Sequence, residues 1–194
     1  EPTTQQLVDK AIRDAGSSLG FDGKEKPAEV LSSDQHREAA QAMFRQRIEE
    51  DSGNDLENAL KAHWQIFGEE STAPLLLEAA QRDLVPALDA LSGVRKFESE
   101  ALRQLLVESL QSEDPEVRYF AAGVPGDHGP ESVQPLIEIL ENPALPDSWT
   151  RRSTSDLIGR TLRRIRENGS PEFISPLLRL LNDSQTSPLG VNTL

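Results

Sequence analysis

The side chains able to do chemistry in this 194-residue chain are dispersed along it. The three histidines, His36, His63 and His128, stand 27 and 65 residues apart, and none belongs to a His-Glu-x-x-His or other ligand-spaced set. A metal site is therefore not expected. With no cysteine there is no thiolate ligand, disulfide framework or cysteine nucleophile. No serine stands in a Gly-x-Ser-x-Gly elbow, and the glycines lie apart at expected helix ends, with no phosphate-cradling loop. The acidic pairs Glu49-Glu50 and Glu69-Glu70 flank turns and read as solvated helix ends. His63 falls on an apolar stripe and is expected to be packed, whereas His128 lies in Pro125-Gly-Asp-His-Gly-Pro130, read as a turn between helices. No catalytic residue, cofactor or metal is assigned.

The arginines give a more directional signal. Residues 1–147 carry a net charge of −16, while 148–194 carry +3, so charge is polarised along the chain. Within 148–168, read as a helix, Arg160, Arg163 and Arg164 share one face at i, i+3 and i+4, beside an apolar stripe of Ile158, Leu162 and Ile165. Arg151 and Arg152 precede them. Planar guanidinium groups grip carboxylate and phosphate in bidentate fashion, so these five side chains form a candidate patch for an acidic partner. The competing assignment is intramolecular, with the arginines neutralising the acidic segment before them. Trp149 follows Pro143-Ala-Leu-Pro146 and is either a partner anchor or, as large aromatics more commonly are, packing between helices.

Helical periodicity accounts for the elements that must position these groups. Leu7, Val8, Ala11, Ile12 and Ala15 form a stripe entered through Thr3 or Thr4 and closed by Gly16. Residues 16–33 read as a loop with a turn of helix around Ala28 to Leu31. A second helix, capped by Asp34, buries Ala40, Met43, Phe44, the stem of Arg47 and Ile48, and stops before Asp51-Ser-Gly-Asn-Asp55. A third presents Leu56, Ala59, Leu60, His63, Trp64 and Phe67 and ends at Gly68.

Beyond it the chain repeats. Leu75-Leu76, Leu106-Val107, Leu136-Ile137 and Leu177-Leu178 recur at intervals of 31, 30 and 41 residues. Pro74, Pro135 and Pro176 precede three of these pairs and predict helix starts, because a first-turn N–H has no intrahelical acceptor to lose. Gly68, Gly129 and Gly169 lie six or seven residues upstream of those prolines and predict the turns. Partner helices are expected over 84–91, 116–124 and 148–168. The unit is helix, turn, helix, and neither helix alone buries its apolar stripe.

Asp114-Pro-Glu-Val-Arg118, Ala121-Ala-Gly123 and Ser132-Val-Gln-Pro-Leu-Ile137 resemble a short HEAT-like repeat of the type found in phycobilin lyase-related proteins. Ala59 to Ala80 and Ser170 to Asn182 resemble parts of further copies. The resemblance covers about residues 55–183 and implies an all-α fold: a right-handed α-solenoid of HEAT-like helical hairpins with a non-repeat N-terminal helical extension. The expected organisation is an extension or cap over 1–53, repeats over 54–183 and a flexible tail over 184–194. The resemblance also implies that Asp114 caps a helix start and that Arg118 bridges neighbouring units.

A non-catalytic scaffold or adaptor, binding a protein partner with an acidic patch, is the function expected of such a chain. The resemblance implies one alternative, a bilin-handling lyase or chaperone-like protein whose arginines would pair with propionates. Net acidity opposes nucleic-acid binding, and no run reaches the roughly 20 apolar residues of a membrane span. No basic and apolar leader begins the sequence, so any export signal is expected to have been removed already; the sequence does not choose the compartment, with the cytoplasm favoured and a processed N-terminus as the alternative.

Overall fold

The computed structural model describes residues 2–16, 27–94, 96–125 and 130–141, together with helical positions at Gly159, Thr161 and Arg163. All its regular elements are helical, and no strand occurs among the described residues. The chain divides into two compact units, Glu1–Leu102 and Arg103–Leu194.

In the first unit, α1 (Thr4–Ala15) begins with a capping box, in which the Thr3 hydroxyl accepts from the Gln6 N–H while the Gln6 side chain accepts from the Thr3 N–H. The expected stripe of Leu7, Val8, Ala11 and Ile12 is buried. α2 (Pro27–Leu31) is the expected turn of helix. α3 (Arg37–Glu50) buries Ala40, Phe44 and Ile48 and ends at Asp51, as the periodicity indicates. Its start differs from expectation. His36, not Asp34, occupies the N-cap position; the backbone carbonyl of Ser33 takes the N–H groups of His36 and Arg37, and Asp34 is left exposed in the turn.

α4 (Gly53–Arg82) is two helical segments joined across Gly68, whose φ of 77° and ψ of −174° lie outside the range of ordinary L residues. Gly68 thus ends the first segment as expected. The helix resumes immediately at residue 69, however, so Pro74 sits inside the second segment rather than opening it. Thr72 supplies a local substitute for the disturbed backbone ladder by donating its hydroxyl to the Gly68 carbonyl at 2.7 Å. α5 (Leu84–Ser92) packs on α4, as do α1 and α3, and the shared core holds Phe44, Leu56, Leu60, Leu76, Leu88 and Leu91. The N-terminal helices therefore pack on α4 within one unit.

α6 (Glu100–Leu110) runs across the division between the units. In the second unit α7 (Pro115–Gly123) starts as expected at Asp114, whose carboxylate accepts from the Glu116 N–H at 2.8 Å. A 3-10 turn (Pro130–Ser132) leads into α8 (Val133–Glu141), placing Pro135 in the first turn where its missing N–H is harmless. Leu106, Leu110, Val117, Ala121, Leu136 and Ile137 are buried.

Candidate functional site

Of the six side chains expected to bind a partner, Arg163 lies on a helical position and is exposed; Trp149, Arg151, Arg152, Arg160 and Arg164 lie outside the described residues. Thr161, two positions before Arg163, is buried. His128, the expected tail and, apart from Gly159, Thr161 and Arg163, the expected last helical unit over 148–183 also lie outside them.

Several charged side chains hold backbone ends. The Arg118 guanidinium donates to the carbonyls of Ser112 and Glu113, at 2.7 and 3.0 Å, pinning the turn between α6 and α7. Arg82 does the same at a longer sequence range, donating to the carbonyls of Ile48 and Glu49 in the last turn of α3. Beside it, the Asp83 carboxylate accepts from the Gly53 N–H at 3.1 Å and so caps the start of α4. Glu69 accepts from the Glu98 and Ser99 N–H groups at 2.8 and 2.5 Å, just before α6. Glu69 is therefore not a solvated helix end. Helix starts carry partial positive charge and unsatisfied N–H groups, while helix ends carry the reverse, so each of these side chains has the sign its terminus requires.

His63 is 2% exposed, with its Nδ1 2.7 Å from the Thr72 hydroxyl and its ring against Phe44 and Phe67. Burial, with the positive charge of Arg45 adding to it, lowers its pKa from 6.5 to about 4. It is the packed histidine that the apolar stripe indicates. His36, by contrast, ties the turn before α3 to α1, its Nδ1 lying 2.9 Å from the Thr4 hydroxyl.

The first unit also contains a charged cleft of about 390 Å³ lined by Asp9, Ile12, Arg13, Arg47, Asp55 and Asn58. It lies where the last turns of α1 and α3 meet the first turns of α4, which brings Arg13, Arg47 and Asp55 together from three helices. Asp51 closes α3 beside it, with its Oδ2 3.4 Å from the Nε of Arg47. Burial raises the pKa of the Asp51 carboxyl above 3.8; Arg47 opposes the shift, and the charges of Asp55 and Glu50 reinforce it. The sequence signals Arg47 through its place on the buried face of α3, but no spacing rule links it to Arg13 or Asp55. A second cleft, in the other unit, is lined by Leu110, Gln111, Ser112, Arg118, Pro135, Glu138 and Ile139, and its guanidinium is already committed to the turn carbonyls. Among the described residues no group of three or more histidine or carboxylate side chains is placed to hold a metal ion, and no helix is long and apolar enough to cross a membrane.

No protein-family model matches the chain, and no curated protein or solved structure matches it significantly.

Proposed function

We propose that the chain is an interaction scaffold of stacked HEAT-like helical hairpins, which captures an acidic protein partner through the basic segment 148–194. Charge separation carries this reading: 1–147 has a net charge of −16 and 148–194 of +3, and Arg163 in the basic segment is helical and exposed. Packing supports the stacked arrangement. Arg82 reaches back 34 and 33 residues to Ile48 and Glu49, Asp83 reaches back 30 to Gly53, and Glu69 reaches forward 29 and 30 to Glu98 and Ser99. These separations match the interval of about 30 residues between the leucine pairs, as expected where equivalent helix ends of successive hairpins lie side by side. Val30, at 39%, is the most exposed large apolar side chain among the described residues. Among the described residues charge is accordingly the recognition element the surface offers.

The test is capture of partners by the tagged chain from its native cell extract at moderate salt, repeated with Arg160→Glu and Arg163→Glu combined. A stoichiometric partner lost in the double variant supports the reading. Capture retained alongside a lowered melting temperature assigns the arginines to intramolecular neutralisation instead. Visible absorbance on mixing the pure chain with a linear tetrapyrrole would replace the scaffold reading with the bilin-handling one.

A further inference from the structure

α4 is a closed helical hairpin whose connection is one residue. The first segment begins at Gly53 and the second ends at Arg82, and between them Gly68 alone departs from helical geometry. Paired antiparallel helices ordinarily need a connection of about two to five residues. Here the far ends of the two segments meet, since the Asp83 carboxylate accepts from the Gly53 N–H at 3.1 Å and Arg82 donates to the carbonyls of Ile48 and Glu49 just before it. His63 and Thr72 close the hairpin near its bend, 2.7 Å apart. In an unbroken helix, rising about 1.5 Å per residue, Gly53 and Asp83 would stand about 45 Å apart and His63 and Thr72 would lie on opposite sides. These contacts therefore require the bend, yet none requires both partners to belong to one chain. The bend itself is local. Only Gly68 must change its backbone angles for the segments to become one 30-residue helix, because Thr72 already bonds the Gly68 carbonyl four positions back and Pro74 already lies inside the second segment. Straightening would also pair the last carbonyls of the first segment with the first N–H groups of the second, which a break leaves without helical partners.

We propose that Gly68 is a hinge through which two copies of this chain exchange the part that follows it. Each copy opens α4 into a continuous helix and seats its second segment and α5 against α1, α3 and the first segment of the other. In the exchanged dimer Asp83 of one copy caps Gly53 of the other, Arg82 holds the Ile48 and Glu49 carbonyls across the same boundary, and His63 pairs with Thr72 between copies. A short hinge between well-packed elements favours such exchange, because the same contacts form in either arrangement. The inference uses only α4 and its neighbours in the first unit, so it stands or falls apart from the scaffold reading.

Refolding the full chain from urea, followed by size-exclusion chromatography with light scattering, tests it. The parent is expected to be monomeric when refolded at about 5 µM and to yield a dimer that persists on dilution when refolded at about 500 µM. Gly68→Ala should raise the dimerisation constant about 10³-fold, because alanine disfavours the bend by about 30-fold at each of the two hinges. A Gly-Ser-Gly insertion after Gly68 lengthens the connection and interrupts a continuous helix, so that variant should stay monomeric. The chain has no cysteine, so Asn54→Cys and Gln81→Cys, both at exposed positions, provide the two sole sites for spin labels. With labelled chain diluted into excess unlabelled chain, the dimer should show an intrachain separation of about 40 Å, the span of a continuous helix between those positions, and the monomer a much shorter one. Should Gly68→Ala fail to fold, the parent dimer and its label separation decide alone. Absence of a dimer from the parent, a dimer whose label separation equals that of the monomer, a folded Gly68→Ala that dimerises no more readily, or an insertion variant that dimerises as the parent does would overturn the proposal.

Discussion

His63 and Thr72 face one another across the Gly68 kink, with Nδ1 and Oγ1 2.7 Å apart, and the Thr72 hydroxyl donates its one proton to the Gly68 carbonyl. The hydroxyl can then only accept from the imidazole, which places a proton on Nδ1, and the pKa of about 4 leaves the ring neutral at pH 7. The pair ties the two segments of α4 together inside the first unit.

Acid should destabilise the fold at this buried ring, which must take up a charge. The folded His63 pKa of about 4 lies below its ordinary 6.5, so its contribution is complete above pH 6.5 and declines as pH falls towards 4, where the unfolded chain binds the proton first. The linked loss amounts to roughly 3 kcal/mol across that window. Urea unfolding measured from pH 7 to 4 should show the decline, and His63→Phe, which keeps a ring against Phe44 and Phe67, should flatten it. An unchanged pH profile in that variant would refute the assignment.

Asp51 should act in the opposite direction. Its carboxyl is raised in the folded state, so its contribution is fully present below its ordinary 3.8 and is lost as pH rises through the folded value. Asp51→Asn is therefore expected to be as stable as the parent or more stable at pH 7, by no more than about 1 kcal/mol, since Arg47 partly compensates the charge. The difference should vanish below pH 3.8. Marked destabilisation at pH 7 would show that the Arg47 pairing outweighs burial.

Local signals in the sequence were read correctly wherever one helix contained both partners. The buried stripes of α1 and α3 needed only the helical period, and Asp114 caps α7 as the resemblance implies, while the entry to α1, open between Thr3 and Thr4 in the sequence, falls at Thr3 through its box with Gln6. Asp34 misled because a backbone turn at Ser33 performs the capping that its side chain was expected to perform. Pro74 departs from its expected place at a helix start because the glycine kink lets the helix resume at residue 69, five positions before the proline. Arg82, Asp83 and Glu69 were missed for a different reason. Their partners are backbone groups about 30 residues away, and backbone groups leave no residue-type signature. The Arg13, Arg47 and Asp55 cleft was missed likewise, since three helices contribute one residue each.

The two left-handed glycines separate backbone strain from crowding. A Cβ at either Gly53 or Gly68 would meet nothing within 4 Å, so substitution by alanine tests the backbone alone. Gly53, with φ of 54°, has a positive φ that L side chains rarely adopt, and alanine there should cost about 1 kcal/mol. Gly68, with φ of 77° and ψ of −174°, occupies a region essentially reserved to glycine, and Gly68→Ala should cost about 2–3 kcal/mol. Urea midpoints of the two variants should fall in that order. Equal losses would mean that the kink relaxes into continuous helix.

The remote caps make the sharpest distinction between structural charge and surface charge. Arg82→Ala removes both donors from the Ile48 and Glu49 carbonyls, and Glu69→Ala removes the acceptor of the Glu98 and Ser99 N–H groups. Each should cost about 1–2 kcal/mol, the usual worth of a helix cap reinforced by charge. Glu78→Ala, exposed on the same helix and without such a bond, should change stability by less than about 0.5 kcal/mol. Conservative changes sharpen the test. Arg82→Lys presents one ammonium where a planar fork spans two carbonyls, so it should recover only part of the loss. Glu69→Gln retains an acceptor oxygen but loses the charge that favours a helix start, and it should likewise fall between parent and alanine. If the three alanine variants were equally mild, the long-range bonds would not hold the helix ends, and the agreement between their 30-residue reach and the leucine repeat would lose its physical meaning.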